Sequence, residues 1–154
     1  MKIETMEQTS DHHMHTRYSD GCGSIMEMAE SAVLKGLKKI TITDHMPLPF
    51  ETHYALDITG IDDYRNDITK AREIYAGRVD IKTGLEMEYI SEFSSWIKVI
   101  ADKGWDHLIA SIHSLWVEDK ACLVNGSHEK FDHMLNQVFK GDIQAVCRNY
   151  YKAM

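Results

Sequence analysis

Apolar residues along this chain switch between two periods, and the switches divide it into alternating helices and strands. From Ser24 onward, Ile25, Met28, Ala29, Ala32 and Val33 fall on one face at helical spacing. Ser24 and Glu27 form the S-x-x-E pattern of a capping box, and Gly36 is placed to stop the helix. Ile40 and Ile42 then alternate with Thr41 and Thr43, the period of a strand. A loop with Pro47 and Pro49 leads to a second helix, with Ile61, Tyr64, Ile68, Ala71 and Tyr75 on one face and Gly77 closing it. Residues 79 to 83 alternate again. A third helix groups Phe93, Trp96, Ile97, Ile100 and Ala101, stops at Gly104, and is followed by a strand over 107–112. Segment 116–126 reads as a loop or a short hairpin. Phe131, Met134, Leu135 and Val138 predict another helix. Ile143, Val146, Cys147, Tyr150, Tyr151 and Met154 form a last amphipathic stripe that reaches the final residue without a stop signal. Strand–helix alternation of this kind predicts an α/β fold.

Composition narrows the function classes. With 154 residues the chain has the size of one domain, and 44% hydrophobic residues supply a sizeable core. A net charge of -7 gives no electrostatic footprint for a nucleic-acid polymer or an anionic membrane, but it suits cations. Cys22, Cys122 and Cys147 are odd in number and far apart, so neither a disulfide framework nor a zinc ribbon is expected, and free thiols fit a reducing, cytoplasmic setting. The first residues lack the apolar run of a signal peptide, and no apolar stretch is long enough to span a bilayer. Nine histidines is a high count for this length and directs attention to metal sites.

The candidate ligands gather at the C-terminal ends of the proposed strands. His13 and His15 lie in DHHMH, His45 ends KKITITDH, Glu86 follows VDIKTGLE, and His113 ends DHLIASIH. In a strand, residues i and i+2 share a face, so His13 and His15 can reach one ion. By the same parity His45 shares its face with Thr41 and Thr43, and His113 with Ser111 and Ile109, while the opposite apolar faces can pack on helices. Each residue also has an ordinary reading. Asp20 in YSDG is a turn residue, Glu86 alone a surface carboxylate, and His113 alone a hydrogen-bonded histidine. Their agreement at four strand ends favours a metal site, because a βα-barrel carries its chemistry at that end.

The motifs resemble those of the PHP (polymerase and histidinol phosphatase) family. DHHMHTRYSDG is similar to its H-x-H and S-D-G motif, TDH at 43–45 to its second, GLEMEY to the segment with the bridging glutamate, and SIHS to the third. TDHMPLPF and GLEMEY look most like the histidinol-phosphatase branch. The resemblance implies a distorted seven-stranded TIM-like barrel holding two or three divalent ions. His13 and His15 would bind the first and Glu86 would bridge the first and second. His113 would bind the second, and Asp20 and His45 the third. Nitrogen and oxygen donors suit zinc, iron or manganese. Hydroxide held by these metal ligands would attack a phosphomonoester with no protein nucleophile, hydrolysing L-histidinol phosphate in histidine biosynthesis. Arg17 is a candidate contact for the substrate phosphate. Asp11 and Asp44 are candidates to orient the neighbouring histidines, with turn or surface roles equally open. His53, His128 and His133 read as surface residues, and His12 occupies a free motif position.

The resemblance covers essentially the whole chain, as one PHP domain over 1–154 that stops short of the family's later G-H-x-D and D-x-H ligands. A partial barrel with open sheet edges is expected to pair with a second copy or form a larger assembly, and to show weak or absent phosphatase activity by itself. Two other readings stay open: a phosphoesterase of another small phosphate or nucleotide, and a non-catalytic metal-binding or assembling fragment.

Overall fold

The structure is a computed structural model and describes residues 9–154, so the reading of the N-terminus as no signal peptide lies largely outside the described residues. The described residues pack as two units: those up to Glu86 together with Ala101–Ile109, and Met87–Ile100 with Ala110–Met154.

The first unit is built on a sheet whose strands follow chain order. They are β1 (Ser10–Met14), β2 (Lys39–Ile42), β3 (Asp80–Glu88) and β4 (His107–Ser111), the unit boundary falling within the last two. β1 pairs with β2 and β2 with β3 in parallel, so each connection needs a crossover helix. α1 (Ile25–Leu34) and α2 (Ile61–Ile74) provide them. The predicted capping box is present: the Ser24 hydroxyl accepts from the Glu27 amide while Glu27 accepts from the Ser24 amide at 2.7 Å. The apolar stripes meet the sheet as the periodicity requires. Ile25, Ala29 and Ala32 of α1, Tyr64, Ile68 and Ala71 of α2, and Ile40, Ile42, Ile81 and Leu85 of the strands are at most 2% exposed. Fully burying each large aliphatic side chain contributes roughly 1.5–3 kcal/mol.

Both faces of β2 are buried, Thr41 and Thr43 as completely as Ile40 and Ile42. The threonine hydroxyls are satisfied through β1: Thr41 Oγ1 lies 2.8 Å from His12 Nδ1, and Thr43 Oγ1 accepts from the Met14 amide at 3.0 Å. The Tyr64 hydroxyl sits 3.0 Å from the carbonyls of both Ile42 and Gly84, tying α2 to two adjacent strands. Gly84 also lets the neighbouring strands approach closely, since a Cβ there would lie 2.7 Å from the His107 carbonyl oxygen and 2.9 Å from Thr43 Cγ2.

The strand over 79–83 extends further than its alternation predicts. β3 continues to Glu88 because pairing with the segment after β2 continues: Glu86 donates to the Asp44 carbonyl at 3.0 Å and accepts from Met46 at 2.9 Å. On β4, by contrast, the apolar face expected to pack on helices is open, with Leu108 39% exposed and Ala110 exposed. This strand is the last of the sheet, so no fifth strand fixes a covering helix over it among the described residues.

The second unit resolves the ambiguous segment as a hairpin. β5 (Ser114–Val117) and β6 (Lys120–Leu123) are antiparallel, joined by Glu118 and Asp119, both at positive φ as a tight two-residue turn requires. α3 (Ser94–Ala101) follows a 3₁₀ turn over Ser91–Phe93. The predicted helix around 131–138 divides into α4 (His128–His133) and a π-helical turn (Met134–Val138), and α5 (Ile143–Ala153) begins at an Asp142 cap. Leu115, Met134 and Val146 are the buried centre, with Phe131, Leu135, Val138 and Tyr150 packed around them.

Candidate metal centre

Three imidazole nitrogens converge on one carboxylate oxygen. Glu86 Oε2 lies 3.2 Å from His13 Nε2, 3.0 Å from His15 Nε2 and 3.3 Å from His45 Nδ1. Asp20 adds a second carboxylate, Oδ1 at 2.7 Å from His15 Nδ1 and Oδ2 at 3.5 Å from His45 Nε2. Glu86 is 3% exposed and His45 7%, while the side chains of His13 and Asp20 are about half exposed, so the group has a buried floor and an open rim.

Each side chain reaches this point for a local reason. His13 is in β1 and His15 just beyond it, after a register irregularity between Asp11 and Met14. The i, i+2 relation holds, their rings standing 5.2 Å apart. His45 lies past β2, where it bridges Glu86 as an extension of the parallel pairing. Asp20 is brought back to His15 by a tight loop over residues 16–21. Its Gly21 is obligatory, because a Cβ there would lie 2.3 Å from the His15 carbonyl oxygen.

The electrostatics suit a cation. The Glu86 carboxylate holds the His15 imidazole above its ordinary pKa, burial opposes this, and Asp20 adds to it. Burial pushes Asp20 up, but its bond to His15 and the nearby His45 outweigh that and leave it below the usual carboxylate range. In the neutral ring with Nδ1–H donating to Asp20, Nε2 presents its lone pair toward the Glu86 oxygen, and the raised pKa reflects the relief that a proton between them gives. Nε2 is buried without hydrogen-bond geometry despite the 3.0 Å separation. Lone pairs facing one another at this distance repel unless a proton or a metal ion lies among them. His13, His15 and Glu86 offer donor atoms within 4.8 Å of one another, as do His15, Asp20 and His45. The donor set, imidazole nitrogen and carboxylate oxygen, fits a divalent transition metal.

His113 lies in the second unit. Its Nδ1 is 2.7 Å from Glu88 Oε2, and Glu88 Oε1 also accepts from the Ser114 amide at 2.7 Å. A ring whose Nδ1–H is taken by a carboxylate is fixed in the tautomer that leaves Nε2 to ligate. Glu88, 2% exposed, holds the candidate ligand His113, a partnership that sequence reasoning missed. Its signal was present in E-M-E, where alternation puts Glu86 and Glu88 on one face of β3.

Arg17 is 62% exposed and engaged within its own loop, donating to the Cys22 carbonyl at 2.7 Å and pairing with Glu27 at 3.0 Å. Asp11 accepts from the His13 backbone amide, not from a ring. Asp44 turns away from the histidines and bonds residues 16 and 19. His12 stacks loosely on His107 at 5.9 Å, and His128 is exposed beside Asp132. His53 and His133 are exposed, and His107 opens β4, away from its C-terminal end.

A parallel α/β sheet with histidines and carboxylates converging at one end of its strands defines a βα-type domain whose clustered side chains could hold a metal ion. The model of the PHP domain matches residues 11–152, and the chain belongs to that family. It is 28% identical over 159 residues to a histidinol-phosphatase of Bacillus subtilis, covering 96% of this chain and 59% of that protein. Among solved structures it resembles a Listeria monocytogenes chain assigned as a histidinol phosphatase, at a TM-score of 0.72 and 18% identity over 80% of this chain. It also resembles a Lactococcus lactis histidinol phosphate phosphatase complexed with zinc, L-histidinol and phosphate, at a TM-score of 0.65 and 23% identity over 88% of this chain. These likenesses show the expected α/β, PHP-type fold. The chain spans 52% and 53% of those two structures and a similar share of its Bacillus relative. No helix among the described residues is long and apolar enough to cross a membrane.

Proposed function

We propose that this chain carries the metal-binding part of a phosphomonoesterase site whose substrate is L-histidinol phosphate. The observation that supports it most is the meeting of three imidazole nitrogens within 3.3 Å of Glu86 Oε2. Gathering neutral imidazoles around a buried carboxylate returns little stability against the desolvation of Glu86, His45 and His15, and a cation among them would offset that cost. Two or three divalent ions, when bound, supply hydroxide near neutral pH and positive charge for the phosphate oxygens. His13 and His15 hold the first, Glu86 serves as its shared carboxylate, and Asp20 with His45 holds another. The family resemblance assigns His113 to the remaining ion. Glu88 orients His113, and Asp20 orients His15 until it ligates. Arg17 reaches a phosphate by exchanging Glu27 for it. No hydroxyl or thiol of the chain is required as nucleophile.

The substrate reading is supported by the name of the Bacillus relative and by the Lactococcus neighbour, whose complex holds L-histidinol and phosphate. Assembly with a second copy belongs to the same reading, supported by the open apolar face of β4.

The test couples metal content to turnover. Protein purified with added manganese or zinc is analysed by mass spectrometry beside Glu86→Gln and His13→Ala, and phosphate release is followed from L-histidinol phosphate and from unrelated phosphomonoesters. Both variants should lose metal. Metal content untouched by either substitution would remove the centre, and turnover favouring an unrelated ester would remove the substrate but leave the reaction class.

A further inference from the structure

We infer that Asp44 is a positioning residue: its buried carboxylate sets the loop over residues 16–21 and thereby places His15 and Asp20. The inference rests on the metal-centre reading for its consequence, but the geometry stands by itself. Asp44 and Thr16 are both 0% exposed. Asp44 Oδ1 accepts from the Thr16 amide at 2.7 Å and from the Ser19 hydroxyl at 2.5 Å, and Oδ2 accepts from the Thr16 hydroxyl at 2.8 Å. Every one of these donors lies between His15 and Asp20 in the chain. The Thr16 carbonyl in turn accepts from Ser19 at 3.0 Å and Gly21 at 2.9 Å, closing the turn that returns Asp20 to His15. The Asp44 amide faces the Tyr64 hydroxyl at 3.5 Å, which is itself bound to the Ile42 and Gly84 carbonyls. The loop is therefore referenced to β2 and β3 through one side chain.

An aspartate is needed because three donors point at it. Asparagine keeps the shape, but its amide NH₂ in place of Oδ2 must reverse the Thr16 hydroxyl from donor to acceptor, and its carbonyl replaces charge-assisted bonds to the Thr16 amide and the Ser19 hydroxyl with weaker neutral ones. The carboxylate does not touch a histidine, so its effect on metal would pass through the loop.

The experiment compares Asp44→Asn, the milder Ser19→Ala and Asp20→Asn with the unaltered chain, using two readouts. Amide hydrogen exchange of the metal-free protein reads the loop, and titration with cobalt(II), followed by its visible absorption, reads the centre. Asp44→Asn should speed exchange of the Thr16 and Gly21 amides by about tenfold or more while α2 and β3 amides stay protected, the loss of one to two charged hydrogen bonds. It should weaken cobalt binding by about tenfold and alter the absorption in the manner of Asp20→Asn, with Ser19→Ala giving a smaller change of the same kind. Wild-type exchange and cobalt affinity in Asp44→Asn would overturn the inference. So would exchange that rises throughout the first unit in Asp44→Asn with Ser19→Ala unchanged, which marks a general structural role. If the unaltered chain binds no cobalt, the metal-centre reading fails instead, and the exchange pattern alone decides whether Asp44 sets the loop.

Discussion

Two buried carboxylates hold candidate ligand segments here, and they do so in different surroundings. Asp44 sits in the first unit among strands buried on both faces, with Ile40, Ile42, Ile81 and Leu85 at most 2% exposed around the sheet. Glu88 sits in the second unit, whose buried centre is Leu115, Met134 and Val146. In the first unit the positions of His13, His45 and Glu86 follow from strand pairing: His45 and Glu86 bridge in register, and His13 of β1 lies alongside. In the second, one histidine is placed chiefly by one side chain, Glu88 taking its Nδ1 and its backbone amide. A site ligand set by a sheet inherits the sheet's rigidity, whereas one set by a single carboxylate is as rigid as that carboxylate's bonds.

The largest expected effects separate the two cores. Leu85→Ala in the first unit should cost about 3–5 kcal/mol, because strands packed on both faces cannot collapse around the lost volume. Leu115→Ala should fall toward about 2 kcal/mol, since its partly exposed neighbours can close the gap. Denaturant unfolding of both variants checks the order, and equal losses would erase the distinction between the units. Next in size is Glu88→Gln, which leaves a carboxamide among the His113 and Ser114 donors and should cost about 1–3 kcal/mol. Its signature is faster exchange at the 113 and 114 amides, with Thr16 unaffected. Gly21→Ala tests the other side, where the Cβ meets the His15 carbonyl at 2.3 Å. It should release the 16–21 loop and weaken metal binding while Glu88 and His113 keep their bond.

Much of the first unit was legible because its sequence is locally consistent. The capping box, the apolar stripes and the Ile/Thr alternation each correspond to an observed element. The clustering of His13, His15, His45 and Glu86 was legible from strand-end spacing, because parity and parallel order together bring those positions to one place, whereas Asp20 read as a turn residue and joined them only through the family resemblance. What could not be read depends on partners distant in sequence. The continuation of β3 through Gly84 to Glu88 is decided by pairing with residues 44–46, about forty positions upstream. The role of Asp44 was left open between orienting a histidine and a turn or surface role, because the donors that decide it are 28 and 25 residues away. The break at the π-helical turn Met134–Val138 leaves no mark in an apolar spacing that suits an ordinary helix equally well.

The smallest effect belongs to a third carboxylate, which extends the comparison to a half-exposed position. Asp106 precedes β4 and accepts from the Thr83 amide at 2.9 Å and from the Arg72 guanidinium, with its side chain 43% exposed. The Thr83 amide holds its carboxyl below the usual carboxylate range, burial works against this, and Arg72 reinforces it. The folded-state pKa is thus depressed. Its contribution to stability is complete above the ordinary aspartate value of about 3.9 and disappears as pH falls through the lower folded value. Asp106→Asn should therefore be less stable than the unaltered chain at neutral pH, by under about 1 kcal/mol given solvent screening. The gap should close on acidification below about pH 4. Thermal unfolding of both proteins across that range measures it. A gap that persists unchanged in acid would mean that the geometry of the bonds matters and the charge does not, making Asp106 a neutral counterpart of the two buried carboxylates.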